Sequence, residues 1–133
     1  MHSSPPTVIV AHQDPASAAA IALVLRELPI HARASTDGRR VLSAAKDGAL
    51  DLVVLAYAHT TPALDLATRI RALGLAHTPR MLWLAGTSVR RVDLRAVDAV
   101  VWRPFQSDEL VRRVSQLLGL ASRGGALRAH ALS

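Results

Sequence analysis

Few side chains in this sequence can do acid–base, ligating or covalent chemistry, and their spacing says where to look for them. His12, Gln13 and Asp14 stand together just after one apolar run, and Tyr57 and His59 just after another. Thr60, Thr61, Thr87 and Ser88 bring hydroxyls to similar places, and Arg103 brings a cation just before Pro104. Two imidazoles can ligate a transition metal or respond to pH, and a guanidinium can hold an anion in its planar fork. A plainer reading stands beside each. Asp14 precedes Pro15, the arrangement of a helix cap followed by proline at the first helical position. His12 and His59 have no third ligand in the sequence and read more simply as solvated loop residues. Tyr57 reads as packing at a rim, the hydroxyls as turn and cap residues, and Arg103 as cover for Trp102 or Phe105. No carboxylate pair and no nucleophile–base pair can be named. An enzyme is therefore not expected, and no cofactor or metal is implied.

The elements that must position these residues follow from hydrophobic periodicity. Thr7–Ala11 is a short β-rich run, and Ala18, Ile21, Ala22, Leu25 and Leu28 then mark one face of a helix that should stop at Pro29. Ile30, Ala32 and Ala34 alternate with His31, Arg33 and Ser35, as in a half-exposed edge strand. Asp37-Gly38 opens a second helix that closes at Gly48. Leu50–Ala58 is the most apolar stretch and reads as a strand buried on both faces. Pro62 starts a third helix ending near Gly74, and Met81–Ala85 is a fourth strand. Gly86, Thr87 and Ser88 turn into a short fourth helix around Val89, Val92 and Ala96. Ala99–Trp102 is a fifth strand, broken by Pro104, and Ser107 caps a fifth helix with Leu110, Val114, Leu117 and Leu118 inward. Five β–α units in a row predict a doubly wound parallel sheet with helices on both faces. In such sheets ligands bind beyond the carboxyl ends of the strands, where the residues named above lie.

Composition narrows the options. The chain has 133 residues, mean hydropathy +0.24 and no cysteine, which excludes disulfides, thiol catalysis and Cys-based metal sites. No apolar run approaches the roughly 20 residues of a membrane span, and no signal core is visible, so a cytoplasmic protein is expected. The charge is +6 from 16 basic and 10 acidic residues, and Lys46 is the sole lysine. That balance fits an acidic partner or nucleic acid, or more plainly a genome rich in arginine and alanine codons. Aromatic residues are only 3%, so surfaces for base stacking are nearly absent. Residues 7–120 form one expected domain, and residues 121–133 read as a flexible tail or linker stub.

At the strand ends the chain resembles the receiver domain of bacterial response regulators, the phosphoryl-accepting modules of two-component signal transduction. The resemblance rests on TVIVAHQDP, DLVVLAYAHTTP and PRMLWLA, and above all on DAVVWRPFQSDELVRRVSQLL. It implies a flavodoxin-like (βα)5 fold with strand order 2-1-3-4-5 and a cis bond before Pro104. The family's chemistry does not carry over residue by residue. Its Mg²⁺-holding acidic pair falls on His12 and Gln13, and its phosphoacceptor aspartate falls on Ala56. Its hydroxyl residue at the end of the fourth strand falls on Leu84, its aromatic switch residue on Val100 and its lysine on Arg103. Ala56 has no oxygen on which to form an acyl phosphate, and His12 with Gln13 offers no carboxylate to Mg²⁺.

The resulting expectation is a pseudo-receiver that acts by binding protein without phosphorylation. Its contact surface would be the face of the fourth helix, fifth strand and fifth helix, which receivers commonly use. Arg90, Arg91, Arg95, Val101, Trp102, Arg112 and Arg113 mark that face, and opposite charges at Asp93, Asp98, Asp108 and Glu109 could pair across a homodimer axis. A second reading is a small-ligand sensor whose apolar former phosphorylation pocket, made by Ala11, Ala56 and Leu84, takes a metabolite at a rim of Asp14, Tyr57, His59 and Thr87. A third, ranked last, is nucleic-acid binding through the arginine-rich C-terminal helices.

Overall fold

The computed structural model describes residues 5–86 and 91–120, with only the backbone described for residues 91–93. The expected turn and cap at Thr87 and Ser88, the helix residue Val89 and the face residue Arg90 lie outside the described residues, as does the expected tail at 121–133. Five strands, β1 (Thr7–Ala11), β2 (His31–Ser35), β3 (Leu52–Leu55), β4 (Arg80–Ala85) and β5 (Ala99–Trp102), form one sheet in the order β2-β1-β3-β4-β5. Every pairing is parallel, as the βα alternation requires. Four helices, α1 (Pro15–Leu25), α2 (Gly38–Lys46), α3 (Thr60–Arg71) and α4 (Ser107–Leu117), cover it.

Strand periodicity divides the core in two. Ile9, Val53, Leu55, Met81 and Trp83 point to the side of α2 and α3, where they meet Val41, Leu66 and Ile70. Val8, Val10, Leu52, Val54, Leu82 and Val101 point to the side of α1 and α4, where they meet Ala18, Leu25, Leu110 and Val114. Both faces of β1, β3 and β4 are thus buried, which is why their sequences are nearly continuous apolar runs. At the amino ends of the strands two aspartates hold the backbone. Asp51 accepts from the Thr7 N–H at 2.8 Å, and Asp98 accepts from the Met81 N–H at 2.7 Å.

Several elements differ from their sequence reading. The short fourth helix is a 3-10 helix over Arg91–Ala96, not an α-helix. Six residues close too few i→i+4 bonds to offset the cost of nucleation. Helix α1 ends at Leu25, well before Pro29, and i→i+3 bonds from Arg26, Glu27 and Leu28 tighten the chain after it. Helix α3 begins at Thr60, so Pro62 sits within its first turn, where no N–H is needed. Ser107 is the first helical residue of α4 rather than its cap. Gln106 takes the cap position without a side-chain bond, and Asp108 and Glu109 supply favourable charge to that turn. In β2 only Ala32 is buried. Ala34 is exposed, as the outermost strand runs past the cover of α1.

Candidate functional site

The carboxyl ends of β1, β3 and β4 and the turn after β5 meet at one edge of the sheet, where His12, Asp14 and Arg103 are each bonded to neighbouring groups. Asp14 caps α1: its carboxylate accepts from the Ser17 hydroxyl at 2.6 Å and the Ser17 N–H at 3.3 Å. The Ser17 hydroxyl is the main cause that holds the Asp14 carboxyl below its ordinary value, with the Ser17 and Ala16 N–H groups and nearby His12 adding to it against partial desolvation. Asp14 is therefore a cap rather than a wall of an apolar pocket. His12 uses Nδ1 to accept from the Asp14 N–H at 2.8 Å, and its half-buried ring stacks on Tyr57 with centroids 6.3 Å apart. His59 is exposed at the cap position of α3 and makes no capping bond, and Gln13 is exposed. Among the described residues no group of three or more His, Asp or Glu is placed to hold a metal ion.

Three successive carbonyls after β3 are each held by a different donor. The Arg103 Nη2 donates to Ala56 O at 2.8 Å, the Trp83 indole N–H to Tyr57 O at 2.7 Å, and the Gly86 N–H to Ala58 O at 3.2 Å. Arg103 also donates from Nε to Leu84 O at 3.1 Å, so one guanidinium ties the ends of β3 and β4 together. Its backbone N–H bonds Ala85 O at 2.9 Å, and the following Arg103-Pro104 peptide is cis. The fork geometry of arginine suits this double role, since two donors leave one planar group in fixed directions. Burial lowers the Arg103 pKa from its ordinary value, and the Phe105 ring lies 6.0 Å from the guanidinium carbon. Gly86 sits close to its neighbour: a Cβ there would stand 3.0 Å from Ala58 O, a tight contact.

The apolar pocket expected from Ala11, Ala56 and Leu84 does not form. All three residues are fully buried, and Ala11 packs on the α2–α3 side of the sheet while Ala56 and Leu84 pack on the other. The depression at this edge is instead bordered by Gly86, Arg103, Pro104 and Phe105. Tyr57 packs against the α2–α3 core and the His12 ring, and burial pushes its hydroxyl pKa up. The sequence showed the cation at Arg103 but not its two carbonyl partners. It gave no sign that Trp83 would donate to Tyr57 O, since a tryptophan in an apolar strand looks like any other core residue.

The outer strand β5 carries Val100, partly buried, Val101, buried, and Trp102, which is 43% exposed. Arg95, Arg112 and Arg113 are exposed, Arg90 lies outside the described residues, and the side chain of Arg91 is not described. Asp98 does not serve as a free surface charge for pairing with another copy. Besides the Met81 N–H it faces Arg71 at 3.7 Å and Arg80 at 3.9 Å.

No family model and no curated protein matches the chain. Solved structures do. A response regulator from Thermotoga maritima superposes with a TM-score of 0.71 at 19% identity, over 86% of this chain and 98% of that one. A CheY-like receiver domain protein from Methanospirillum hungatei JF-1 gives 0.72 at 15% identity, over 89% and 98%. A Francisella response-regulator receiver domain gives 0.71 at 24% identity, over 86% and 97%. At these identities the likeness concerns architecture, and with the strand order 2-1-3-4-5 it is specific: the chain has the CheY-like, flavodoxin-like fold of response-regulator receiver domains.

Proposed function

We propose that this chain is a receiver-type signalling module that works without phosphorylation, by binding protein through the face made by the 3-10 helix, β5 and α4. The observation that carries this reading is the guanidinium of Arg103, bonded to the carbonyls of Ala56 and Leu84 at the edge where a receiver accepts its phosphoryl group. By the family resemblance Ala56 stands at the acceptor position and offers no carboxylate, and His12 and Gln13 stand at the metal-binding positions. His12 is further engaged with the Asp14 N–H and the Tyr57 ring. A switch that needs an acyl phosphate has no acceptor here, and Val100 at the aromatic switch position has no ring to move.

The binding face follows from exposure and charge. Trp102 stands exposed on an edge strand, and Arg95, Arg112, Arg113, Asp108 and Glu109 are exposed on the flanking helices. Rim charges of this kind contribute about 0.2–1 kcal/mol per pair, so affinity must come from apolar contact around Trp102. The partner is a second copy of the chain or a protein with an acidic surface, in the cytoplasm. Nucleic acid is not favoured.

Sedimentation velocity, run with and without acetyl phosphate and Mg²⁺ alongside intact-mass spectrometry, tests the reading. The expected result is no phosphoryl adduct, the same assembly in both conditions, and loss of assembly in Trp102→Ser. A hydroxylamine-labile adduct, or assembly that responds to acetyl phosphate, overturns it. So does a monomer, unchanged by Trp102→Ser, that recovers no acidic protein from its native host.

A further inference from the structure

The carboxyl end of the outer strand β2 carries a second polar site, unrelated to the edge closed by Arg103. A cavity of about 570 Å³ opens there between β2, α2 and the start of α1, within the size range of small-ligand sites. Two of its lining residues are Arg33 and Arg40. Both are exposed, and neither guanidinium has an ion pair or hydrogen bond among the described residues. The position of Arg33 is informative. It pairs in register with Ile9, whose side chain lies in the α2–α3 core, so Arg33 occupies the sheet face that a buried apolar residue would otherwise take. Two other lining residues, Ser35 and Asp37, are bonded to each other. The Ser35 hydroxyl accepts from the Asp37 N–H and donates to Asp37 O, both at 3.2 Å, and Ser35 O accepts from the His12 N–H at 3.1 Å.

We infer that this cavity binds a small organic phosphate, its phosphate held between Arg33 and Arg40 and its carbon skeleton laid toward the exposed Pro15. Two guanidinium groups on one cavity match a dianion, and bidentate donation to phosphate oxygens is the contact that arginine makes best. The exposed Thr36 offers a hydroxyl as a further donor. Asp37 is the one acid in the lining, and its carboxylate is already directed to the Arg39 N–H at 2.9 Å and the Arg39 Nε at 3.6 Å. The amino end of α2 is thereby capped by its own side chain and is not counted as part of the site. Among the described residues no aromatic ring lines the cavity, so recognition rests on the phosphate and not on stacking with a base.

Isothermal titration calorimetry with ribose 5-phosphate, ribose and inorganic phosphate tests this on the full chain. Ribose 5-phosphate should bind saturably, inorganic phosphate more weakly, and ribose not at all. Arg33→Gln and Arg40→Gln should each weaken ribose 5-phosphate binding about tenfold, the usual effect of losing one charge-assisted contact. The variant Lys46→Gln, which removes one exposed charge outside the cavity, should bind as the wild type does. Equal weakening in that control shows general charge attraction and overturns the site, as does saturable binding that neither cavity variant changes. Absence of heat with ribose 5-phosphate, confirmed by unchanged melting in its presence, also overturns it. A short DNA duplex that binds more tightly than ribose 5-phosphate through the same two arginines would replace the small ligand with a nucleic-acid backbone and reject the proposal. The two positions are exposed, so folded variants are expected, and melting curves verify them.

Discussion

The two ends of this sheet edge treat the same chemistry in opposite ways. At the β3–β4 side one arginine, one tryptophan and one glycine N–H hold three carbonyls in succession, and Arg103 reaches a fourth at Leu84. At the β2 side the guanidinium groups of Arg33 and Arg40 face an open cavity with no partner among the described residues. A guanidinium bonded to backbone carbonyls within the fold contributes to stability, because an acceptor left without its donor in a buried setting is costly. A guanidinium in water contributes little to stability and keeps its full capacity for a ligand. The difference separates residues that maintain the receiver scaffold from residues available to meet something outside it. It also shows that the edge near Ala56 is held by donors of the chain itself.

The sharpest way to break this comparison is at Trp83. The side chain is fully buried, and its indole N–H is the donor to Tyr57 O. Trp83→Ala should cost about 3–5 kcal/mol, a large share of a domain's stability of roughly 5–15 kcal/mol. Trp83→Phe should cost less, since most of the apolar volume remains and chiefly the bond to Tyr57 O is lost. Urea unfolding measures both. If Trp83→Phe matches the wild type, the Tyr57 carbonyl is not held in the way described.

Arginine substitutions sharpen the comparison directly. Arg103→Met keeps much of the length of the side chain but strips donors from Ala56 O and Leu84 O, so it should cost about 1–2 kcal/mol. Arg33→Gln and Arg40→Gln should each stay within about 0.5 kcal/mol of the wild type, as exposed substitutions usually do. Thermal melts of the three variants at one pH and salt concentration decide the matter. Equal losses at Arg103 and Arg33 would erase the distinction between the closed and open sides.

Much of this was legible in the sequence, and what was not has a common cause. The parallel sheet follows from alternation of apolar runs and helical periods, as at Thr7–Ala11 followed by Asp14-Pro15, and its strand order from the receiver resemblance. The caps at Asp14 and Asp37 follow equally, because capping is local and its partners lie within three residues. The bonds of Arg103 and Trp83 were not legible, because they span 47 and 26 residues and depend on how the strand ends meet. The supposed pocket at Ala11, Ala56 and Leu84 failed for a related reason. Spacing placed all three at strand ends, but the side of the sheet depends on strand parity, which sets Ala11 apart from the other two. Arg33 looked like the polar half of an edge strand until its register with Ile9 showed which face it occupies.

The smallest expected effect is at Asp14, next to His12 on this same edge. Ser17 holds the Asp14 carboxyl below its ordinary value, chiefly through its hydroxyl, so the folded state favours the carboxylate. The stabilisation is fully present above the ordinary carboxylate pKa of the unfolded chain. It is lost as pH falls through the lower folded value. Asp14→Asn keeps an oxygen that can cap α1 but cannot titrate. The wild type should therefore melt slightly above Asp14→Asn at neutral pH, and the two should converge in acid. Melting curves for both proteins from neutral pH downward measure the convergence. A gap that stays constant or widens in acid would mean that the charge of Asp14 contributes nothing to the cap.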